Sequence, residues 1–360
     1  MLTDRALQIE VLINSPGPHD QVRVREPFLA LKARGIDVRL HERPFRFNNC
    51  IRPHSLVIWQ RPLPENRQRQ WEHLQWLRKR GCLLLTEWDD HPNLFPEAIQ
   101  HCLNTIGLAP LALCHALHTS TPKLAQALRH VQPIGLVMEN RVARIPVVNL
   151  LKHNNSRLRL LVANQNRNDE HAAIGRALGR WSRDCKELQV VVIADRQLAS
   201  TISSEQLEFH SILDYESYRA ILASCQIALL PLIDNPANAC KTPIKLFECA
   251  AESVAAICGP GLYRNWAPQN IAHFASKLDE IVPAAQSLAA CTTQRRIQVS
   301  LAHQWVNEQG NLDTDLSFRS WLYQKLWTKR VALDLQLLGR INRDSALKSM
   351  KLEEFGSEAH

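Results

Sequence analysis

None of the ten cysteines (50, 82, 102, 114, 185, 225, 240, 249, 258, 291) forms a C-x-x-C pair with another. The spacing signature of a structural zinc site or a dithiol redox centre is therefore missing, and several cysteines sit inside apolar runs, as Cys225 does in Ala223-Ser224-Cys225-Gln226-Ile227. Buried free thiols in a reducing compartment are the expectation. Met1-Leu2-Thr3-Asp4-Arg5 lacks the apolar core of a signal peptide, and no apolar run approaches bilayer-spanning length. These absences predict a cytoplasmic protein, one that can touch a membrane only from its surface. A long basic arm and interleaved basic and aromatic residues are also lacking, which argues against nucleic acid as a partner. There is no internal repeat and no low-complexity tract.

What remains is a globular composition: 45% hydrophobic and 22% charged residues in 360, enough for two domains of ordinary size and a tail. The formal charge of +8 predicts an anionic partner, such as a nucleotide phosphate or a lipid headgroup.

The first half alternates short apolar runs with helical patterns, the sequence form of βαβ units and a mostly parallel sheet. Ile9 to Ile13, Ile36 to Leu40, Leu56 to Trp59, Cys82 to Leu85, Leu111 to Leu117 and Ile134 to Val137 read as strands. Val24, Phe28 and Leu31 mark one helix ending near Gly35; Trp71, Leu74 and Leu77 mark another ending at Gly81. Thr121 before Pro122 reads as a helix cap. Periodicity lapses over 141–157, which predicts a linker, and from about 158 the strand and helix alternation resumes, with strands at Leu158 to Val162, Leu188 to Ile193 and Ile227 to Leu230. The expected division is 1–150, 151–311, a helical segment 312–345 and a loose tail 346–360. In the helical segment Phe318, Trp321, Leu322, Leu326 and Trp327 form an apolar stripe beside Arg319, Lys325, Lys329 and Arg330. Such a stripe suits a helix packed on the domains, or one lying on a membrane surface.

The stretch most informative about chemistry runs from Leu229 to Glu248. A strand ends near Pro231, a polar loop follows, and a helix is predicted to begin with Thr242 as N-cap and Pro243 at its first position. Ligands of doubly wound sheets bind at this end of the strands. Lys241 and Lys245 flank a helix N-terminus that already carries positive potential, a conflict that a bound phosphate resolves. Glu248 lies three residues beyond Lys245, on the same helix face, where it can accept hydrogen bonds from ribose or sugar hydroxyls. A solvated Lys-Glu pair has the same spacing.

Asn238, Lys241, Pro243, Lys245, Phe247 and Glu248, followed by Ala250-Ala251 and the strand Val254 to Cys258, resemble the donor-site segment of GT-B glycosyltransferases similar to family 4. Gln60-Arg61-Pro62-Leu63-Pro64, the run Leu84 to Pro92, Thr119 to Leu124 and Glu139-Asn140 follow in the order such enzymes show in their acceptor half. The resemblance implies two Rossmann-like α/β domains facing each other across a cleft, with a final helix crossing back. The donor, a UDP- or GDP-sugar, would be held by the second domain, and a glycan or lipid-linked acceptor by the first. It further implies no catalytic metal and no cofactor, with Lys241 or Lys245 neutralising the leaving diphosphate, Glu248 holding the ribose, and Thr242, Asn238, Asn164 and Arg167 lining the donor site. Arg23 and Glu26 would contact the acceptor. Two departures stand out. Retaining members carry a second Glu eight positions before Glu248, where this chain has Cys240, and the glycine pair of the first-strand loop is replaced by Pro16-Gly17-Pro18.

Asp89-Asp90-His91 follows an apolar strand, at the expected mouth of the cleft. His91 could accept a proton there with Asp90 orienting it, or the run could be a turn with aspartate caps. Cys114, His115 and His118 have the spacing of metal ligands but lie in an apolar run without a clear fourth. Two other readings stay open: a nucleotide-sugar epimerase of the same fold, and a non-catalytic relative that binds a nucleotide sugar or scaffolds a partner.

Overall fold

The computed structural model describes residues 6–45, 51–62, 67–95, 97–106, 108–163 and 168–343. The chain forms two compact units. The first comprises residues 1–16, 20–139 and 315–360; the second comprises 17–19 and 140–314. The polar stretch 141–157, expected as a linker, thus belongs to the second unit: Val142 bridges Asn311, and Leu151–Asn154 makes a 3-10 turn. The helical segment expected at 312–345 to cross back or pack on the domains belongs from 315 to the first unit.

The first unit is built on strands β1 (Gln8–Ile13), β2 (Asp37–Glu42), β3 (Leu56–Gln60), β4 (Leu83–Trp88), β5 (Ala116–Thr119) and β6 (Gly135–Val137). They pair in parallel in the order β2-β1-β3-β4-β5-β6. A parallel sheet is covered on both faces, so its inner strands are apolar throughout rather than alternating. Every residue of β3 and β4 is accordingly buried, whereas the edge strand β2 buries only Val38.

Helices α1 (Glu26–Ala33) and α2 (Arg67–Lys79) follow β1 and β3. Trp71, Leu74 and Leu77 on α2 pack into one core with Leu12, Val57, Trp59 and Leu84. The expected strand at 111–117 begins instead as a short helix, Ala109–Ala112, with the strand confined to β5. Pro110 explains the difference, because its fixed φ suits the first turn of a helix and it has no N–H for a ladder. Thr121 does cap the helix Pro122–Ala127, accepting from Leu124 N at 3.1 Å.

The second unit repeats the plan with β7 (Leu158–Val162), β8 (Leu188–Ile193), β9 (Leu207–His210), β10 (Ile227–Leu230), β11 (Ala255–Cys258) and β12 (His273–Phe274). Here the order is β12-β11-β10-β7-β8-β9, all parallel, so chain direction across the sheet reverses between β7 and β10. Helices α3 (Asn168–Asp184), α4 (Tyr215–Ser224) and α5 (Ile244–Ala251) connect these strands. The core gathers Leu160, Val162, Leu178, Val190, Ile227 and Ile257.

The last helices, α6 (Leu316–Thr328) and α7 (Arg330–Arg343), complete the first unit. Leu337 and Ile341 on α7 enter the same core as Trp71 and Leu74, and Tyr323 on α6 stacks on Phe28 with ring centroids 5.6 Å apart. Asp334 accepts from Arg78 at 2.6 and 2.8 Å and faces His115 Nε2 at 3.1 Å, while Arg340 donates to the Cys114 carbonyl at 2.8 Å. The expected stripe on α6 is rotated: Leu326 and Trp327 are buried, but so are Arg319 and Tyr323, while Phe318 and Trp321 stay half exposed. Arg319 can be buried because Asp315 accepts from it at 2.6 Å and the Glu139 carbonyl takes another of its N–H groups. No helix among the described residues is long and apolar enough to cross a membrane. The nine described cysteines are all free, and the tail 346–360 lies outside the described residues.

Leu337→Ala is expected to destabilise the protein by about 2–5 kcal/mol, the usual cost of a cavity in a well-packed core. A urea titration following tryptophan fluorescence checks this. A second expectation concerns acid. His118 is buried against Tyr323, and burial pulls its pKa down to about 3, with Arg319 and Arg23 adding to the effect; burial takes His153 down to about 4. Unfolded histidines titrate near 6.5, so below that pH the unfolded chain binds protons that the folded one refuses. Stability is then full above about pH 6.5 and falls toward pH 4, by at most about 1.4 kcal/mol per pH unit for each such histidine. His118→Asn should flatten that slope in equilibrium unfolding measured from pH 7 to 4.

Candidate functional site

In a doubly wound sheet the crevice for a ligand opens beyond the carboxyl ends of the strands where their order reverses. In the second unit that place lies after β7 and β10. Asn164 and Arg167, in the loop after β7, lie outside the described residues. The loop after β10 is fixed by local polar contacts. Asn235 Oδ1 accepts from Asn238 N at 2.7 Å, starting a 3-10 turn over Asn238–Cys240, and Asn238 Nδ2 donates to the Ile233 carbonyl at 3.0 Å. The loop also runs tight against the turn after β11: a β-carbon on Gly259 would come within 2.5 Å of Leu232 N, so only glycine permits the approach.

Lys241 ends this turn and α5 begins at Ile244, with Lys245 in its first turn. The expected cap is corrected here. Pro243 occupies the N-cap position without a side-chain bond, and Thr242 lies one residue outside, its hydroxyl accepting from Asn140 Nδ2 at 3.2 Å. Proline has no side-chain acceptor, so the first amides of α5 gain no side-chain cap at that position and add to the positive potential beside the two lysines.

Glu248 is buried one turn further on, 4% exposed. Its Oε2 accepts from the Tyr218 hydroxyl of α4 at 2.9 Å, and Lys245 Nζ lies 4.3 Å from the centroid of the same ring. Burial, reinforced by the Glu248 carboxylate, raises the Tyr218 phenol well above its ordinary pKa, so it stays protonated and donates. One turn beyond, Glu252 accepts from buried Arg219 at 2.9 Å, and Arg219 also meets the Tyr215 hydroxyl and the Arg144 carbonyl, each at 3.1 Å. Two adjacent residues of α4 therefore clamp two carboxylates of α5 that share one face. Cys240 is a buried thiol whose Sγ lies 3.4 Å from the Pro236 carbonyl.

The first unit gathers charge at the ends of β3 and β4. Arg23 pairs with both Glu87 and Asp89, and all three are buried. Arg61 donates to Asp89 at 2.6 Å and to Asp90 at 3.2 Å, and its guanidinium lies 5.4 Å from the centre of the Phe95 ring. Arg61 also has φ of +44°, in the left-handed region and just before a proline, a backbone state that persists only where its surroundings over-determine it. Gln60 ties the loop after β1 to the same edge: its Oε1 accepts from Asn14 N and Ser15 N at 3.0 and 2.9 Å. That loop, which lacks the glycine pair, is held by a side chain instead.

Sequence-predicted residues therefore fall into two groups. Lys241, Lys245, Glu248, Asn238 and Thr242 lie along one loop of the second unit and the helix that follows it; Arg23, Asp90 and His91 lie on the first unit's charged edge. Glu26 opens α1, close to Arg23 in the chain. Arg23 is committed to carboxylates. The ring of His91 accepts from Asn93 N at 3.3 Å, capping a 3-10 turn, so the turn reading describes its present contact, and burial lowers its pKa. The sequence alone assigns no role to Arg61 or Tyr218. Arg61 stood in a run already noted, but Tyr218 is 30 residues from its partner on another helix and left no local signal. His115 and His118 contact Asp334 and Tyr323, and among the described residues no group of three or more His, Cys, Asp or Glu is placed to hold a metal ion.

Removing one member of a buried ion pair strands the others in a medium that solvates charge poorly. Arg23→Met should cost about 3–5 kcal/mol. The check is chemical denaturation of the variant beside Arg129→Met, a solvent-exposed control expected to differ from wild type by no more than about 0.5 kcal/mol.

No protein-family model matches the chain, and no curated protein sequence matches it significantly. Solved structures do. A glycosyltransferase of Rickettsia africae ESF-5 superposes with a TM-score of 0.58 at 12% identity, covering 89% of this chain and 99% of that one. HepE of Anabaena, solved in complex with UDP, gives 0.56 at 9% identity, covering 89% and 100%. A Listeria monocytogenes protein assigned as a UDP-N-acetylglucosamine 2-epimerase gives 0.52 at 9% identity, covering 89% and 97%. At such identities the likeness is one of fold.

Proposed function

We propose that this chain, which has the fold of GT-B glycosyltransferases, moves a sugar from a nucleoside-diphosphate sugar, UDP- or GDP-linked, to a glycan or lipid-linked acceptor. The observation that carries the reading is the placing of Lys241 just before α5, Lys245 in its first turn and buried Glu248 one turn further on, at the carboxyl edge of the second sheet. An anion there meets two cations and a helix N-terminus together.

Charge grows on the departing diphosphate as the glycosidic bond breaks, so cations fixed at its position stabilise the transition state more than the bound substrate. The reading gives that work to Lys241 and Lys245 in place of a metal, and gives the ribose hydroxyls to Glu248, with Asn238, Thr242, Asn164 and Arg167 as neighbours. It assigns the acceptor to the charged edge of the first unit, where Arg23 and Glu26 shape the surface and His91 and Asp90 are the candidate proton acceptors. Retention would proceed here without a carboxylate at position 240. A cytoplasmic enzyme with a lipid-linked acceptor would work at a membrane surface, and the exposed Phe318 and Trp321, with Lys325 4.6 Å from the Trp321 ring, suit such a contact.

A second reading, a relative that binds a nucleotide sugar without turning it over, draws support from Cys240. The epimerase reading draws on the Listeria likeness, and release of a free epimerised sugar without any acceptor would favour it. Thermal unfolding in the presence of UDP, GDP, ADP and their sugars tests the shared premise. One nucleotide should stabilise the wild type, by about 2.7 kcal/mol at a hundred times its Kd, and leave the Lys241→Ala, Lys245→Ala double variant unmoved. No shift with any of them at millimolar concentration overturns the reading. Turnover with the stabilising donor then separates a transferase from a binder.

A further inference from the structure

Tyr218 touches both of the groups assigned above to opposite parts of the donor. Its hydroxyl occupies Oε2 of Glu248, and its ring face carries Lys245 Nζ. Oε1 of Glu248 accepts from no donor among the described residues, and it is not one of the enclosed polar atoms left without a partner. The carboxylate is thus half committed. A carboxylate with neither oxygen held rotates among partners and must be oriented when a ligand binds; one whose second oxygen is held presents the other in a single fixed direction.

We infer that Tyr218 is a positioning residue that turns Glu248 so that Oε1 alone meets the ribose hydroxyls, and that the same ring sets the distance from that oxygen to the Lys245 cation. The site then selects ribonucleoside over deoxyribonucleoside diphosphates through the hydroxyl of Tyr218, and diphosphates over monophosphates through its ring. This rests on the donor-site reading given above.

The backbone around Tyr218 supports a fixed placement. Asp214 caps α4, accepting from Ser217 N at 2.8 Å, and Arg219 is locked to Glu252 and Tyr215. Neither contact involves the Tyr218 hydroxyl, so losing the hydroxyl leaves the helix held. A phenylalanine keeps the ring under Lys245 and removes only the bond to Glu248; a leucine removes both.

Calorimetric titration of UDP, GDP, UMP, GMP and the 2′,3′-dideoxy diphosphates into wild type, Tyr218→Phe and Tyr218→Leu tests the inference. The wild type should prefer the ribose form of its nucleotide by about tenfold or more, the scale of a hydrogen bond to a charged acceptor. Tyr218→Phe should lose most of that preference while binding the dideoxy diphosphate as wild type does, and should keep the preference for diphosphate over monophosphate. Tyr218→Leu should lose both preferences. In a Glu248→Ala background Tyr218→Phe should change nothing further, because its effect runs through the carboxylate. That background is a second measurement should Tyr218→Phe alone fold poorly. Undiminished ribose preference in Tyr218→Phe, or an equal added loss in the Glu248→Ala background, overturns the inference and leaves the donor-site reading standing. A wild type that binds none of these nucleotides overturns both.

Discussion

The first unit cannot cover its own sheet with the residues that make its strands. A parallel sheet presents two apolar faces, and part of the cover comes from the far end of the chain, where Leu337 and Ile341 enter a core otherwise built from residues 12 to 114. The polar contacts around this helix are matched to the packing. Asp334 sits between Arg78 and His115, and the Arg78 guanidinium holds its carboxyl well below the usual carboxylate range. Arg340 donates to the Cys114 carbonyl, which also accepts from Gln132 at 2.9 Å, so this buried acceptor ties the helix to the first unit. Apolar burial supplies the attraction and the charged contacts fix the helix in one register.

The two units handle charge differently, and this separates scaffold from candidate chemistry. In the first, Arg23 and Arg61 answer Glu87, Asp89 and Asp90, two cations against three carboxylates. In the second, Lys245 lies in the first turn of α5, whose N-terminal potential has its own sign, and the Glu248 carboxylate one turn on accepts from a phenol.

Much of this was legible in the sequence because the determinants are local. Continuous apolar runs such as those of β3, β4 and β10 identify buried parallel strands, and Thr121-Pro122 announces a helix start. The Lys241 to Glu248 segment was readable because all its members lie within one loop and one helix. Where the reading failed, a nonlocal or steric fact intervened. Pro110 turned the first residues of an apolar run into a helical turn, and Arg319 took a core-facing position expected of an aromatic because Asp315 and the Glu139 carbonyl could satisfy it. Tyr218 escaped notice for the same reason: its role depends on a partner that only the packing of two helices supplies.

The return of α6 and α7 to the first unit also inverts the order in which the chain can mature. Domains usually fold as they leave the ribosome, the N-terminal one first. Here the second unit, apart from 17–19, is continuous from 140 and complete at Thr314, while the first still lacks two helices of its core. The half synthesised first is therefore the half finished last, and until α7 arrives its apolar sheet face is the surface a nascent chain must keep from its neighbours.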